Sequence, residues 1–474
     1  MSAWSPETGS LDFETLRVAY TEGALTPGDV IDAVYQRIAG RGEDSVWIHL
    51  APRDRVLARC RELERAGRSD NPLWGLPFSV KDCNDVPGMP TTNALPESAY
   101  VPETTGQAIS RLLEAGAVCI GKTNMDQFGI GLVGMRTPYG ACSCAFDERY
   151  ISGGSSSGSA ISVAAGLVSF SIGNDAAGSG RVPAAFNNIV GLKPTPGLVS
   201  NSCVTGGGCL KTAETLSVFA LTVGDAMRVL REIAGYDPSY PFSKPEADAA
   251  DLEMPPPPSF RFGVPAGQAL RFFGDVEAET LFHSAILRLE AIGGQRVEID
   301  FTPFEETQRL LYDGPWIAER ALTLDPLVER YRDRLHPVTR TILESAKDYS
   351  AVDVFRAIHR LAELDCATRP TWKRIDVLVV PSTPTIYTKA EIAADPIALN
   401  SRLGIYTNFA NLMRLCAVAV PNGFRPDGLP QGITLLAPAM HESKIAAISA
   451  AFHRASDLPL GATGNRMPQA PASL

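Results

Sequence analysis

Histidine is scarce in this chain. Six occur in 474 residues (His49, His283, His336, His359, His441 and His453), and no two fall at H-x-x-x-H spacing. Neither a zinc-binding helix motif nor an obvious histidine base can be read from them. The nine cysteines are odd in number and scattered. Cys142-Ser-Cys144 is too short for a C-x-x-C site and has no second pair at zinc spacing, so reduced thiols and no metal are expected. No apolar run is long enough to span a membrane. The N-terminal MSAWSPETGSLDFE lacks a basic n-region and an apolar h-region, so no signal peptide is expected and a soluble cytoplasmic protein follows. Positive charge is also in deficit: the formal net charge is −10. Nucleic acid and anionic membrane are poor partners for such a surface. There is no internal repeat.

What is present is apolar residue in quantity, 45% of the chain, enough for a sizeable core. The length fits two or three small domains or one large α/β unit. Thr26-Pro-Gly-Asp reads as a helix start within 11–42. Apolar runs at Gly75–Val80, Val118–Gly121, Leu167–Ile172, Phe260–Val264 and Ile375–Pro381 read as strands. Helices are expected at Gln107–Ala115, Ser157–Ala165 and Glu277–Ile292, and through most of 303–370. This alternation predicts an α/β fold, a large mixed and mostly parallel sheet covered by helices on both faces, with chemistry in turns at strand ends. The expected organisation is one domain over 1–460. Residues 245–258 (PEADAADLEMPPPP) form an exposed Pro-rich linker within it, and 461–474 a disordered tail.

The densest chemical signal lies between Gly153 and Ala184, GGSSSGSAISVAAGLVSFSIGNDAAGSGRVPA. Two serine sites, Ser155–Ser157 and Ser179, sit in glycine-rich segments separated by small residues. Upstream, Gly75-Leu-Pro-Phe-Ser-Val-Lys81-Asp82 places a lysine at the end of an apolar strand. Serines and a lysine with no histidine requirement point to a serine hydrolase whose base is an amine. Such a base must be neutral, and a free lysine titrates near roughly 10.4, so the chemistry demands burial. The apolar residues before Lys81 are consistent with that. Taken singly, each residue also fits a bland role: a polar loop, a surface charge, a helix cap.

These segments resemble the amidase-signature hydrolases in motif and spacing, across residues from about 25 to about 455. The resemblance implies a Ser–cis-Ser–Lys triad: Lys81 as base, Ser155 as relay after a cis peptide, and Ser179 as nucleophile forming an acyl-enzyme. It implies an oxyanion hole from the backbone N–H groups of Ala176, Ala177, Gly178 and Ser179, with Asp175 and Arg181 bracing the loop. No cofactor is implied. The partner would be a small amide, and a homodimer is common among such hydrolases.

Within the family, Leu311–Arg320 (LYDGPWIAER), Leu399–Asn408 and Gly428-Leu-Pro-Gln-Gly resemble allophanate hydrolases. That resemblance assigns Tyr312 and Arg320 to a substrate carboxylate, which a guanidinium fork and a phenol suit, with Asn174, Gly129 and Ile130 as further contacts. Read without the family, Arg320 would be a surface residue paired with Glu319. The chain departs from the allophanate pattern at Asn174 and Ala176, where threonines are usual, at Cys144 and Ile151-Ser152, and in the loop Asn201–Thr215. A further C-terminal domain common in that group is not expected here. These departures tip the expectation slightly to guanylurea, a cation of nearly the same shape, for which Glu214, Asp313 or Glu319 would supply an acid. Hydrolysis would release ammonia, guanidine or both. Allophanate hydrolysis to ammonia and CO2 is the alternative, and a pseudoenzyme or binding protein a further one. A tRNA-dependent transamidating enzyme would want a basic surface. A fatty-acid amidase would want a long apolar channel.

Overall fold

The computed structural model describes residues 4–68, 71–204, 208, 210–255, 259–312 and 314–468. Its centre is one sheet of eleven strands. In chain order these are Trp47–Leu50 (β1), Pro77–Lys81 (β2), Val118–Thr123 (β3), Phe170–Asp175 (β4), Val190–Lys193 (β5), Thr215–Ala220 (β6), Phe260–Pro265 (β7), Gly294–Ile299 (β8), Val377–Pro381 (β9), Cys416–Phe424 (β10) and Pro430–Ala437 (β11). Across the sheet they run β1-β3-β2-β4-β6-β5-β10-β11-β9-β7-β8.

The sheet is mixed, but the expectation that it be mostly parallel is corrected. Parallel pairing joins β2 to β3 and β4, and β7 to β8 and β9. The other pairs are antiparallel. Connections explain the division. A turn closed by Arg425 N–H to Leu429 O joins β10 to β11, and so short a link permits only an antiparallel pair. The passage from β2 to β3 is long and carries the helix Gln107–Glu114, as a parallel crossover requires.

Local chemistry accounts for the helices that frame the sheet. Thr26 and Asp29 form a reciprocal capping box that starts Pro27–Arg41, with proline in the first turn where its missing N–H is harmless. Ser157–Ala164 is buried along its whole length. It can be, because its residues are small: a Cβ on Gly158 would run into backbone of Val46 and Asn124. This helix packs on β2, β3 and β4. Helix Val223–Ile233 packs on β5 and β6, and Glu442–Ser456 on β10 and β11.

β2 and β4 are paired in register at Phe78–Phe170, whose rings stack at 5.1 Å. Such a pair is worth roughly 0.5–1.5 kcal/mol beyond its burial. Because the two strands are parallel, their C-terminal ends share one edge, and those ends carry Lys81 and Asp175.

Among the described residues, no helix is long and apolar enough to cross a membrane. The region expected as a linker holds a 3-10 turn, Pro245–Ala249, with Ala247 buried; positions 256–258 lie outside the described residues. The expected tail disorder does not begin at 461. Gly461 N–H bonds Asn188 O, Ala462 N–H bonds Ala164 O, and the Asn465 amide reaches Thr8 O. Positions 469–474 lie outside the described residues.

Candidate active site

Three segments distant in sequence deliver three side chains to one line. Lys81 is the last residue of β2. Ser155 lies just before the small-residue helix, after a cis Gly154–Ser155 peptide. Ser179 lies in the turn between β4 and the helix Val182–Phe186. Lys81 Nζ donates to Ser155 Oγ at 2.8 Å, and Ser155 Oγ donates to Ser179 Oγ at 2.9 Å. All three residues are buried, none more than 2% exposed. A continuous amine–hydroxyl–hydroxyl path of this length can move a proton from one end to the other. The neighbouring serines are committed elsewhere: Ser156 Oγ donates to Asn174 O and Ser157 Oγ to Asn124 O.

The Ser179 turn is pinned from beneath. Arg181 grips Asp175 with two bonds, Nε to Oδ2 at 3.0 Å and Nη2 to Oδ1 at 2.9 Å, and both side chains are fully buried. The same carboxylate accepts the Gly178 and Gly180 N–H groups. Burial alone would raise Asp175, but the Arg181 charge and these hydrogen bonds outweigh it and hold the carboxyl below its ordinary range. Arg181 also donates to Thr407 O and Asn411 Oδ1, and Thr407 Oγ1 donates to Ala177 O. Gly178, at φ +129°, presses against Thr407 where no Cβ would fit. The expected bracing roles of Asp175 and Arg181 thus have a concrete geometry. The expected four-donor oxyanion hole is reduced by one, because the Gly178 N–H already serves Asp175. The N–H groups of Ala176, Ala177 and Ser179 take part in no hydrogen bond among the described residues.

A narrow cavity of about 30 Å³ opens beside this line; Lys81, Cys83, Asn93, Gly129, Glu214 and Leu324 are among its lining. Glu214 is therefore brought to the site. Asn174 is not a free contact: its amide nitrogen holds Glu214 Oε1 at 2.9 Å, while its oxygen accepts from Cys83 and Asn84. It fixes Glu214. The wall at Asn93 is set by a buried pair. Asp82 accepts the Thr92 N–H, Thr92 hydroxyl and Ala94 N–H, and Lys122 Nζ lies 3.5 Å from Asp82 and bonds Thr91 and Pro90 O.

Arg320 is fully buried, not a surface partner of Glu319. Its guanidinium lies over the Tyr312 ring at 5.4 Å, and Nη1 is 3.5 Å from Gly129 O. The Tyr312 hydroxyl is buried and meets no hydrogen-bond partner among the described residues. Glu319, the other candidate pocket acid, points outward and holds the Thr212 N–H and hydroxyl at 2.9 and 2.6 Å. Asp313 lies outside the described residues. Ile130 is buried in an apolar cluster with Leu95, Phe128 and Leu324, and its carbonyl accepts from Arg136.

Arg136, Asp126, Thr407 and Asn411 do not stand out in the sequence. Only Asp126, an acid just past the end of β3, carries a local signal. Among the described residues no cluster of three or more His, Cys, Asp or Glu side chains is placed to hold a metal.

A Ser–Ser–Lys line at the ends of parallel strands within this sheet defines an amidohydrolase, and the chain belongs to the amidase family, whose model matches residues 29–445. It is 41% identical over 397 residues to the urea amidolyase of Saccharomyces cerevisiae, covering 83% of this chain and 21% of that protein. It is 40% identical over 403 residues to the urea amidolyase of Lachancea kluyveri, again covering 83% of this chain and 21% of that protein. Among solved structures, the Kluyveromyces lactis allophanate hydrolase superposes with a TM-score of 0.90 at 34% identity, covering 98% of this chain and 76% of that one. The chain thus spans about a fifth of the length of the urea amidolyases it matches.

Proposed function

We propose that this protein hydrolyses a small, carboxylated, urea-derived amide, with allophanate as its first substrate, and that Ser179, Ser155 and Lys81 act as nucleophile, relay and base. The observation that carries the reading is the unbroken hydrogen-bonded line from Lys81 Nζ through Ser155 to Ser179.

In this scheme neutral Lys81 takes the Ser155 proton as Ser155 takes that of Ser179. Ser179 Oγ attacks the carbonyl carbon of the terminal amide. The oxyanion meets the N–H groups of Ala176, Ala177 and Ser179, whose donors are already oriented by the pinned turn. Ser155 then gives a proton to the leaving nitrogen, ammonia departs, and the acyl group stays on Ser179. Water, deprotonated by the same path, attacks the ester and frees Ser179 with a second carboxylate on the product, which loses CO2. Tyr312 and Arg320 would hold the substrate carboxylate: a buried guanidinium, and a buried phenol with no hydrogen-bond partner among the described residues, suit an anion.

This reading places allophanate ahead of guanylurea. A cation near buried Arg320 would be repelled in a weakly screened setting, and relatives at 34–41% identity include a urea amidolyase and an allophanate hydrolase. Guanylurea is kept as the second reading because Glu214, an acid, lines the cavity with Lys81.

The test is ammonia release from allophanate, biuret, guanylurea and acetamide side by side, with Ser179→Ala as the blank. Allophanate should lead, and Ser179→Ala should abolish turnover while the protein stays folded. Guanylurea well ahead of allophanate would transfer the assignment to Glu214. Turnover of none of the four by a folded protein would sink the reading.

A further inference from the structure

We propose that Asp126 is a positioning residue for Ser155, acting through the backbone of the loop 126–136; the inference rests on the reading of Ser155 as a relay. The observation behind it is how the peptide units around Ser155 are held. The Asp126 N–H donates to Ser155 O at 3.0 Å, and the Gly154 N–H donates to Leu132 O at 2.9 Å. Both strands of that grip come from one loop.

The loop takes its shape from the Asp126 carboxylate. Asp126 is fully buried. Its Oδ1 accepts the Arg136 N–H at 2.8 Å, and its Oδ2 accepts the Gly134 and Val133 N–H groups at 3.0 and 3.2 Å. The carboxylate also fills the space where a Cβ on Gly154 would stand. Arg136 fastens the outer side: Nη1 donates to Ile130 O at 3.0 Å and Nη2 to Pro396 O at 2.8 Å. Three N–H donors converge on one buried group that is not itself among the residues lining the cavity. A carboxylate supplies acceptors in all those directions. An asparagine of equal size supplies one acceptor oxygen and turns an NH2 toward at least one N–H, so one arm of the loop opens.

Chemistry separates this role from general support of the fold. Ser155 must protonate a leaving amine, whereas a p-nitrophenolate leaves without a proton. A misplaced relay therefore slows amides more than activated esters. Loosened packing slows both alike.

The experiment compares turnover of allophanate (or whichever amide of the panel the wild-type enzyme cleaves best) with turnover of p-nitrophenyl acetate, in wild type, Ser155→Ala, Asp126→Asn and the double variant. Positioned proton transfer contributes on the order of 10²–10⁴-fold, so Asp126→Asn should lower amide kcat by at least about 30-fold with KM within about 3-fold. Ester turnover needs the path to deprotonate Ser179 and water but not to protonate its leaving group, so it should fall at least about 5-fold less than amide turnover. In the Ser155→Ala background Asp126→Asn should have no further effect, because a residue acting only through another is silent once that other is gone. Equal loss on amide and ester, or a full additional loss in the Ser155→Ala background, overturns the proposal. If Ser155→Ala itself leaves the amide-to-ester ratio at the wild-type value, the relay reading fails and takes this inference with it. Should Asp126→Asn not fold, Arg136→Lys replaces it: the fork between Ile130 O and Pro396 O is lost, and the amide-to-ester ratio should fall in the same direction. An unchanged ratio in a folded Arg136→Lys enzyme overturns the proposal.

Discussion

Replacing Arg181 by methionine tests whether the Ser179 turn is held by charge. The Asp175–Arg181 pair is fully buried and joined by two hydrogen bonds. Methionine keeps much of the volume but leaves the carboxylate with only the Gly178 and Gly180 N–H groups, and strands Thr407 O and Asn411 Oδ1. Removing one partner of a buried ion pair costs about 3–5 kcal/mol. A stranded acceptor costs about 1–3 kcal/mol more, partly offset as side chains and water move in. A net loss of about 4–6 kcal/mol is expected, a large share of the roughly 5–15 kcal/mol that holds a typical domain folded. Asp175→Asn/Arg181→Met removes both charges and should recover about 2–3 kcal/mol of that loss. Activity should not return with it, since asparagine offers one acceptor where two N–H groups need anchoring. Guanidinium unfolding followed by tryptophan fluorescence reads the stabilities, and ammonia release at a temperature where all variants are folded reads the turn. The pH dependence has a definite sign. The folded Asp175 carboxyl lies below its ordinary value of 3.8, so its stabilisation is present above that value and is lost as pH falls through the lower folded one. Without Arg181, acid unfolding should move to higher pH. A single variant within about 1 kcal/mol of wild type, or a double variant less stable than the single, would refute the reasoning.

Three further outcomes are expected. Asp225 is raised from 3.8 to about 7 by burial and then by the neighbouring Asp12 charge, so its native state binds the extra proton and stability falls as pH rises from about 4 to 7. Asp225→Asn should flatten that slope, with a gain of up to about 4 kcal/mol at pH 8; thermal melts at pH 4.5 and 8 with equal slopes in both proteins would exclude it. His453, fully buried, is lowered from 6.5 to about 4 by burial and then by Arg454, so stability is lost as pH falls through that window. His453→Leu should remove about 3 kcal/mol of acid sensitivity, and melts at pH 4 against pH 7 would show it. Glu214→Gln keeps an acceptor for the Asn174 amide but removes the charge. Allophanate turnover should then hold within about 3-fold while any guanylurea turnover drops at least about 10-fold, and steady-state kinetics on both substrates would reveal the opposite ordering if the second reading were correct.

The Lys81, Ser155 and Ser179 positions are legible in the sequence because each sits in a short segment whose composition is unusual for its own reason. A lysine ends a buried apolar strand, and serines lie among glycines that admit close backbone approach. The sheet is legible less evenly. Helix–strand alternation from β2 to β4 reads correctly as parallel crossover, whereas the antiparallel β10–β11 pair is signalled only by the short Pro426-Asp427-Gly428 turn and not by the apolar runs themselves. Arg320 and Glu319 show a harder limit. Successive helix residues point about 100° apart, so one faces the core and the other solvent, and only the neighbours decide which. Here Tyr312 and Gly129 O take the arginine inward, while Thr212 takes the glutamate outward. Thr407 and Asn411 are invisible for a related reason. They act on the backbone of segments remote in sequence, as when the Asn411 amide reaches Asp175 O, and a backbone carbonyl carries no sequence signature.

The site is divided in its construction, and the division bears on how substrate choice can change. Lys81 and Asp175 end β2 and β4, which pair in register in the core; Ser155 directly precedes the small-residue helix between them, and Ser179 and Arg181 lie in the turn directly after β4. A volume change there meets close-packed neighbours and disturbs the hydrogen-bonded line itself. Tyr312 and Arg320 come instead from the helices Thr302–Tyr312 and Ile317–Tyr331, and Glu214 from the residues just before β6. They meet the rest of the site where Asn174 holds Glu214, where Arg320 lies 3.5 Å from Gly129 O, and where Tyr312 packs on the apolar cluster that includes Ala176 and Ala177. Substitutions in 201–214 and 302–331 can therefore alter the charge and size of the pocket while Lys81, Ser155 and Ser179 keep their distances. The sequence departures in the loop Asn201–Thr215 fall in that replaceable half. The Asn174 departure falls at the seam, where the end of β4 hands Glu214 its orientation.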